Sequence, residues 1–364
     1  MPSETPLREQ HEKSGAKLGV YFDALLPECF AGVEAEYRMA RESVAVVDKN
    51  YRMHVYFEGP DRVRYLHAVL TNDIKDLAPG QGNVSLLLNP QGHILAEVET
   101  YALPDRLLAV SHAMVRERTV ATFDKFIIMD DVQLDDATDR LAAVSLEGPL
   151  AEEVLRGLGG PDLSTLGCLG HAEGQVASIP CRIIRRSTTG VTCAEFICDR
   201  GRVAELWNAL VAAARAHGGG PMGYAALNVL RLEAGVPWFG YDFDDKVIPH
   251  EAALESSHLS YTKGCYTGQE IVERVRSRGH VNRRRVGLQF SGDGVPERGA
   301  KLFGGETEAG FVTRATFSPA LGRAIGMGYV RREHNTVGSK LSWSGGEAEV
   351  IELPLAAAKV APRT

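Results

Sequence analysis

A strand-like run, the tripeptide Glu-Gly-Pro and an amphipathic run occur twice in this chain, and that repetition narrows the available folds more than any other feature. Residues 55–70 read VYFEGPDRVRYLHAVL, and residues 144–158 read VSLEGPLAEEVLRGL. Gly59 and Gly148 suit a sharp strand-to-helix turn, and Pro60 and Pro149 suit the first turn of a helix. Two related α+β units are the natural inference, against the competing account that strand–turn–helix pieces recur by chance. The 364 residues exceed one ordinary core, so two or three domains are expected.

The segments around the repeat carry their own signals. NVSLLL (83–88) and HILAEVETY (93–101) flank Asn89-Pro90-Gln91-Gly92, a hairpin pattern. Helices are expected over 113–125, over 201–216, where Val203, Leu206, Leu210 and Ala213 follow a helical period, and over 223–234, ending before Gly235 and Pro237. From Arg283 onward short β-like runs alternate with Gly, Pro and Asp turns, the pattern of a small all-β barrel or sandwich. The division that follows is an α+β region over 17–280 and a β domain over 283–358.

Composition excludes several classes. A net charge of −7 argues against a general nucleic-acid binder, because phosphate binding needs excess positive charge. No run approaches the roughly 18 apolar residues of a membrane span, and residues 1–16 do not read as a signal peptide, so a cytoplasmic protein without membrane contact is expected. The six cysteines form no C-x-x-C pair, and no histidine pair stands near them at zinc spacing. Free thiols and no metal are expected. His250 and His258 are eight apart without a third ligand, and read as surface or core residues.

The most informative segment is Lys263-Gly264-Cys265-Tyr266-Thr267-Gly268-Gln269-Glu270. Thr267 and Glu270 have capping-box spacing, which predicts a helix from Gly268 to about Arg278, stopped at Gly279. Cys265 then precedes a helix N-terminus with Lys263 two residues away, and both favour the thiolate. A buried turn cysteine is the alternative. Beyond it lie Arg274, Arg276, Arg278, His280, Arg283, Arg284 and Arg285, either an anion-binding patch or a solvated helix end.

From about residue 30 to 357 the chain resembles the glycine-cleavage T-protein family, the folate-dependent aminomethyltransferases. The resemblance is carried by LTNDIKDLAPGQGNVSLLLNPQG (70–92), LRLEAGVPWFGYDFDDKVIPHEA (230–252) and GFVTRATFSPALGRAIGMGYV (310–330). The octapeptide at 263–270 is similar to the signature of the YgfZ branch, whose members assist iron–sulfur enzymes. The resemblance implies an α+β, three-lobed cloverleaf, in which two related lobes surround a central channel, with a C-terminal β-barrel. It implies tetrahydrofolate, or a one-carbon-substituted form, in that channel. Arg231, Glu233, Asn72, Tyr266 and Gln269 are the implied folate contacts, with Arg231 on a folate carboxylate or paired to a neighbour such as Glu233. Cys265, Lys263 and Glu97 are the implied catalytic candidates.

Two departures bear on activity. Where the family carries paired aspartates this chain has Ala96-Glu97, and where the family carries Y-T-G-E, whose glutamate holds the pterin, it has Thr188-Thr189-Gly190-Val191. Valine accepts no hydrogen bond from a pterin N–H. Three functions follow: a folate-binding accessory factor for iron–sulfur client or assembly proteins, a folate-dependent aminomethyl or related one-carbon transferase, and a folate-dependent tRNA-modification helper that binds RNA through the Arg274–Arg285 cluster.

Overall fold

Both Glu-Gly-Pro segments turn a strand into a helix. The first joins strand Arg52–Glu58 to helix Arg62–Val69, and the second joins strand Leu141–Glu147 to helix Ala151–Gly157. Gly59 and Gly148 have φ of +94° and +140°. A side chain at either would run into a carbonyl oxygen, that of Asp131 or that of Ser43. Glycine is therefore required twice for the same reason. The prolines stand two residues ahead of each helix, outside its first turn, where they stiffen the approach. The structure, a computed structural model, describes residues 1–186 and 189–354; Thr188, the Arg278 side chain and residues 355–358 of the expected β domain lie outside the described residues.

The two segments organise two mainly antiparallel sheets of matching order. The first sheet runs Gly82–Leu88, Ile94–Ala102, Leu107–His112, Arg52–Glu58, Gln133–Asp136. The second runs His171–Val176, Ile179–Arg186, Cys193–Asp199, Leu141–Glu147, Ala45–Asp48, Gly220–Pro221. In each, a three-strand meander ends beside its own Glu-Gly-Pro strand, and a helix follows the meander: Arg116–Phe126 in the first lobe and Val203–Ala216 in the second. Repetition in sequence is thus repetition in topology. The expected starts at 113 and 201 fall on 3-10 turns, Ala113–Val115 and Arg200–Arg202, that lead into these helices.

Side-chain alternation assigns the faces. In strand Ile94–Ala102, Ile94, Ala96, Val98 and Ala102 enter the first-lobe core with Phe57, Leu66 and Phe123. Glu97, Glu99 and Tyr101 point the other way, toward the second lobe. In strand Cys193–Asp199, Ala194, Phe196 and Cys198 join the second-lobe core with Trp207 and Leu210, while Cys193, Glu195 and Ile197 face the first lobe. Tyr101, Leu108, Val110, Ala143, Ile184 and Ile197 close the interlobe space at one end as an apolar cluster.

The C-terminal strands form a closed six-stranded barrel in the order Arg283–Gly292, Arg323–Arg331, Thr307–Ser318, Lys301–Gly304, Lys340–Trp343, Gly346–Ile351. Leu288, Phe290, Val312 and Val350 fill it. Helix Tyr224–Glu233 lies against the lobes and meets the barrel through Leu232, which packs on Ile325 and Met327. No helix among the described residues is long and apolar enough to cross a membrane.

The first lobe buries an unpartnered histidine. His54 is 1 % exposed, and neither ring nitrogen has a hydrogen-bond partner. Burial, with the Arg52 charge nearby, pushes it down to about 3, and burial pushes His112 down to about 4. Both titrate near 6.5 when unfolded. Between these values the unfolded chain binds protons that the folded chain refuses, so stability falls as pH drops from about 6.5 toward 4. His54→Leu should leave stability at pH 7 unchanged or higher and flatten this decline by up to about 1.4 kcal/mol per pH unit. Urea denaturation at pH 7 and pH 4.5 measures both quantities, and an unchanged pH slope would contradict the assignment.

Candidate active site

The two sheets and helix Tyr224–Glu233 enclose a cavity of about 200 Å³. Its charged wall is built around a ring of four side chains from four strands, two in each lobe. Arg52 from the first lobe lies beside Glu99 of the same lobe and 3.3 Å from Glu195 of the second. Arg186 from the second lobe closes the ring, pairing with Glu99 and, at 2.9 Å, with Glu195. Tyr101 donates its hydroxyl to Glu99 at 2.7 Å. Burial alone would raise Glu99, but Arg186 and Arg52 outweigh it and bring the carboxyl to about 2. Deeper in the second lobe, Lys49 and Glu147 pair at 3.0 Å. Burial opposes the Lys49 ammonium, yet the Glu147 charge holds it above its ordinary value.

The remaining wall is flat and apolar, with Tyr51, Val84, Leu227, Trp238 and Phe239. Facing it is Glu97, one-fifth exposed, whose Oε1 lies 2.9 Å from His258 Nε2. His258 Nδ1 lies 2.7 Å from Ser257 Oγ, so a Ser257–His258–Glu97 chain ends at the cavity. Burial works to raise Glu97; the hydrogen bond and charge of His258, with His112 behind, bring it below the usual carboxylate value. At neutral pH it is a carboxylate presented to whatever fills the cavity.

Of the residues expected in the site, Glu97 and Arg231 line the cavity. Arg231 is fully buried and bound to Asp242, not to Glu233, and donates to Asn228 Oδ1 at 2.7 and 2.9 Å with Trp238 stacked on it at 4.5 Å. Glu233 faces away from the cavity, where Arg41, Tyr37 Oη and Ser318 Oγ hold it. Asn72 ties two chain segments together by donating to Val84 O at 2.9 Å. Tyr266 sits in the first-lobe core, and Gln269 opens the helix Gln269–Arg278 outside the cavity wall.

The octapeptide departs from expectation in two respects. The helix starts at Gln269 after Gly268, which has φ of +82°, and no side chain caps it. Glu270 is solvent-exposed and pairs forward with Arg274 at 2.7 Å, so the Thr267–Glu270 capping box does not form. Lys263 does not serve the thiol either. Its buried ammonium donates to the carbonyls of His67, in the last turn of helix Arg62–Val69, and of Leu70 and Asn72 just beyond it. Burial lowers Lys263 to about 8. Cys265 is an exposed free thiol.

The arginine run is largely paired. Arg274, Arg276, Arg283 and Arg284 face Glu270, Glu273, Glu251 and Glu255 at 2.5 to 3.5 Å, and Arg285 is buried against Ala252 O. Little free charge is left there for an RNA backbone. His250 bonds Tyr261 Oη at 3.0 Å. No cluster of three metal-binding side chains occurs among the described residues.

Sequence reasoning missed Arg52, Glu99, Arg186 and Glu195, and set His258 aside as a surface or core residue. A usable signal existed for the glutamates. ILAEVETYA and CAEFICD each carry glutamate on one face of a strand whose other face is apolar, which marks a buried polar face. Val191, at the position of the family's pterin glutamate, is absent from the wall, whereas Glu195 four residues on is part of it.

Comparisons with known proteins agree with this geometry. The chain matches the model of the GCVT N-terminal domain over residues 7–257 and that of the glycine cleavage T-protein C-terminal barrel domain over residues 283–355. It is 33% identical to an aminomethyltransferase of Rubrobacter xylanophilus, over 90% of this chain and 87% of that protein. It is 29% identical to an aminomethyltransferase of Desulforamulus reducens, over 93% and 92%. The crystal structure of glycine cleavage system aminomethyltransferase T from Bartonella henselae superimposes with a TM-score of 0.90 at 28% identity, covering 99% of both chains.

Cysteine exposure gives a direct check of the cavity. Cys168 and Cys265 are exposed, and Cys168 lies on the cavity wall. Cys181, Cys193 and Cys198 are buried, and burial pushes Cys193 well above its ordinary value. Iodoacetamide should modify Cys168 and Cys265 well before those three. A molecule filling the cavity should slow Cys168 and leave Cys265 unchanged, as read by mass spectrometry; equal slowing of both would place that molecule elsewhere.

Proposed function

Because the chain belongs to the glycine cleavage T-protein family, we propose that it binds tetrahydrofolate, or a one-carbon-substituted form, in the interlobe cavity and transfers a one-carbon unit there. The observation that carries this reading is the Glu97 carboxylate, turned into the cavity and backed by His258. The wall suits a reduced pterin. Tyr51, Trp238 and Phe239 offer flat apolar surface, and the buried Glu195 Oε1, 3.3 Å from Arg52 Nε, has no hydrogen-bond donor of its own. That oxygen can accept from a ring or amino N–H, the task that Val191 cannot perform.

Folate supplies the amine nitrogen that receives the one-carbon unit as the carbon's bond to its donor heteroatom breaks, and the proton that Glu97 takes from the amine passes to that leaving heteroatom. Glu97 supplies the base, because an amine that gains a carbon must release a proton and the carboxylate is unprotonated at neutral pH. His258 orients Glu97 through Nε2 and is itself oriented by Ser257 through Nδ1. Alternation leaves one acidic position of the family's pair at work. Ala96 points into the first-lobe core, 0 % exposed, so a carboxylate there would be buried away from the cavity.

Tetrahydrofolate at about 100 times its dissociation constant should stabilise the fold by about 2.7 kcal/mol. Glu97→Gln should keep binding and lose about 10²–10⁴-fold in transfer rate, the usual contribution of a general base. Calorimetry and reconstituted glycine-cleavage turnover test the two halves. Silence toward every tetrahydrofolate form would end the binding reading, and full turnover in Glu97→Gln would end the role of Glu97.

A second reading, support of iron–sulfur enzymes in the manner of the YgfZ branch, is favoured by one feature, the exposed Cys265 thiol within Lys263–Glu270. With Lys263 tied to backbone carbonyls, such a role rests on the cysteine's exposure and not on a lysine-activated thiolate. On this reading Cys265→Ser leaves tetrahydrofolate affinity intact and lowers the activity of iron–sulfur enzymes in cells that depend on the protein. Unchanged iron–sulfur activity in those cells would remove it.

A further inference from the structure

Beside helix Tyr224–Glu233, between that helix and the barrel, lies a second, open groove lined by Tyr21, Asn228, Glu297, Arg298 and Arg314, among others. Two of its cations lack carboxylates. The Arg314 and Arg298 guanidinium groups lie 5.2 and 5.7 Å from the same ring, that of Tyr241. Neither has an ion-pair partner among the described residues; Arg298 donates only to Gly240 O at 3.2 Å, and Arg314 makes no hydrogen bond there. Elsewhere this chain pairs its arginines freely, as the Arg274–Arg284 run shows. Both guanidinium groups border the groove with an aromatic ring, and no paired carboxylate, as their neighbour.

The groove also presents neutral donors. Asn228 is 94 % buried at the groove wall, its exposure being 6 %. Its Oδ1 accepts both Arg231 bonds, which fixes the amide's orientation, and its Nδ2 has no partner among the described residues. Tyr21 lines the same wall with a hydroxyl that has no protein partner among them. Burial, opposed in part by the Arg314 charge, pushes that hydroxyl up to about 12, so it keeps its proton. Positive charge spreads beyond the groove. Burial, opposed by Asp242, holds Arg231 below the usual arginine value, and the charges of Arg314 and Arg285 act in the same direction. Glu297 alone among the groove residues contributes negative charge.

We propose that this groove binds a small oxyanion, a carboxylate or phosphate group, held by Arg314 and Arg298 with the Asn228 amide and the Tyr21 hydroxyl as further donors. Arginine forks suit planar and tetrahedral oxyanions alike, and the unpartnered amide supplies directional recognition at the buried end. Glu297 sets the charge balance at one net positive, which suits a single anionic group better than a polyanion. The groove and the interlobe cavity are lined by different residues and meet where Arg231 of the cavity wall holds Asn228 of the groove.

The test titrates the full chain with inorganic phosphate and, separately, with succinate, by calorimetry in a buffer free of both kinds of group. Wild type should bind at least one of them saturably with one site per chain, and which one it binds fixes the ligand class. Arg314→Gln should weaken that binding about tenfold or more, the worth of one charge-assisted hydrogen bond. Arg298→Ala, at an exposed position, should weaken it too, and decides the matter if Arg314→Gln does not fold. Saturable binding of neither anion would overturn the proposal, as would wild-type affinity in both folded variants.

Discussion

The interlobe ring of Arg52, Glu99, Arg186 and Glu195 is the constraint on which the site depends. Each lobe contributes one arginine and one glutamate, so neither lobe can satisfy its own charges as fully as the pair can. All four lie in surroundings where an unpaired charge costs several kcal/mol. The two sheets must therefore meet in one register, with Glu99 and Glu195 within reach of both arginines. The apolar cluster of Tyr101, Val110, Ile184 and Ile197 supplies the adhesion between the lobes, which scales with area and is indifferent to register. The charged ring adds the direction.

Holding the sheets this way leaves a space that side chains do not fill, and the edge of that space is where Glu97 stands. Period-two alternation along Ile94–Ala102 puts Glu97 on the same face as Glu99, and both line the cavity. One glutamate is paired with arginines from both lobes and the other is hydrogen-bonded to a histidine, and that difference matters chemically. Glu99 is locked into a structural ring, while Glu97 keeps a side open to the cavity and accepts a hydrogen bond from His258 behind it. The same strand thus supplies a clamp and a carboxylate open to the cavity, separated by one residue.

Helix Tyr224–Glu233 plays the corresponding part at the third boundary. Its Arg231 is satisfied by Asp242 and Asn228, its Glu233 by Arg41, Tyr37 and Ser318, and its Leu232 by the barrel. Every polar residue in its last turn has a partner from a different part of the chain. A helix held on all sides in this way fixes where the barrel sits relative to both lobes.

Much of the fold was legible from local patterns. The repeated Glu-Gly-Pro turns, the hairpin at Asn89–Gly92, the helices after each meander and the β-rich C-terminus all follow from periodicity and from the demands of tight turns, which act over a few residues. Of the two glutamates of ILAEVETYA, Glu97 was reached through the family resemblance, while Glu99 was missed although the strand's apolar opposite face carried a signal for it. What sequence could not decide was which charges meet. His258 reaches Glu97 across 161 residues and Lys263 reaches His67 across 196, and no spacing rule covers such distances. Two of the nearest candidates in sequence, Glu233 for Arg231 and Cys265 for Lys263, were passed over for partners brought by the fold, while exposed Glu270 turns from Thr267 to Arg274 four residues on. The physical reason is that a buried charge must find the partner that compensates its desolvation best, and packing of the lobes, not proximity along the chain, determines which partner that is.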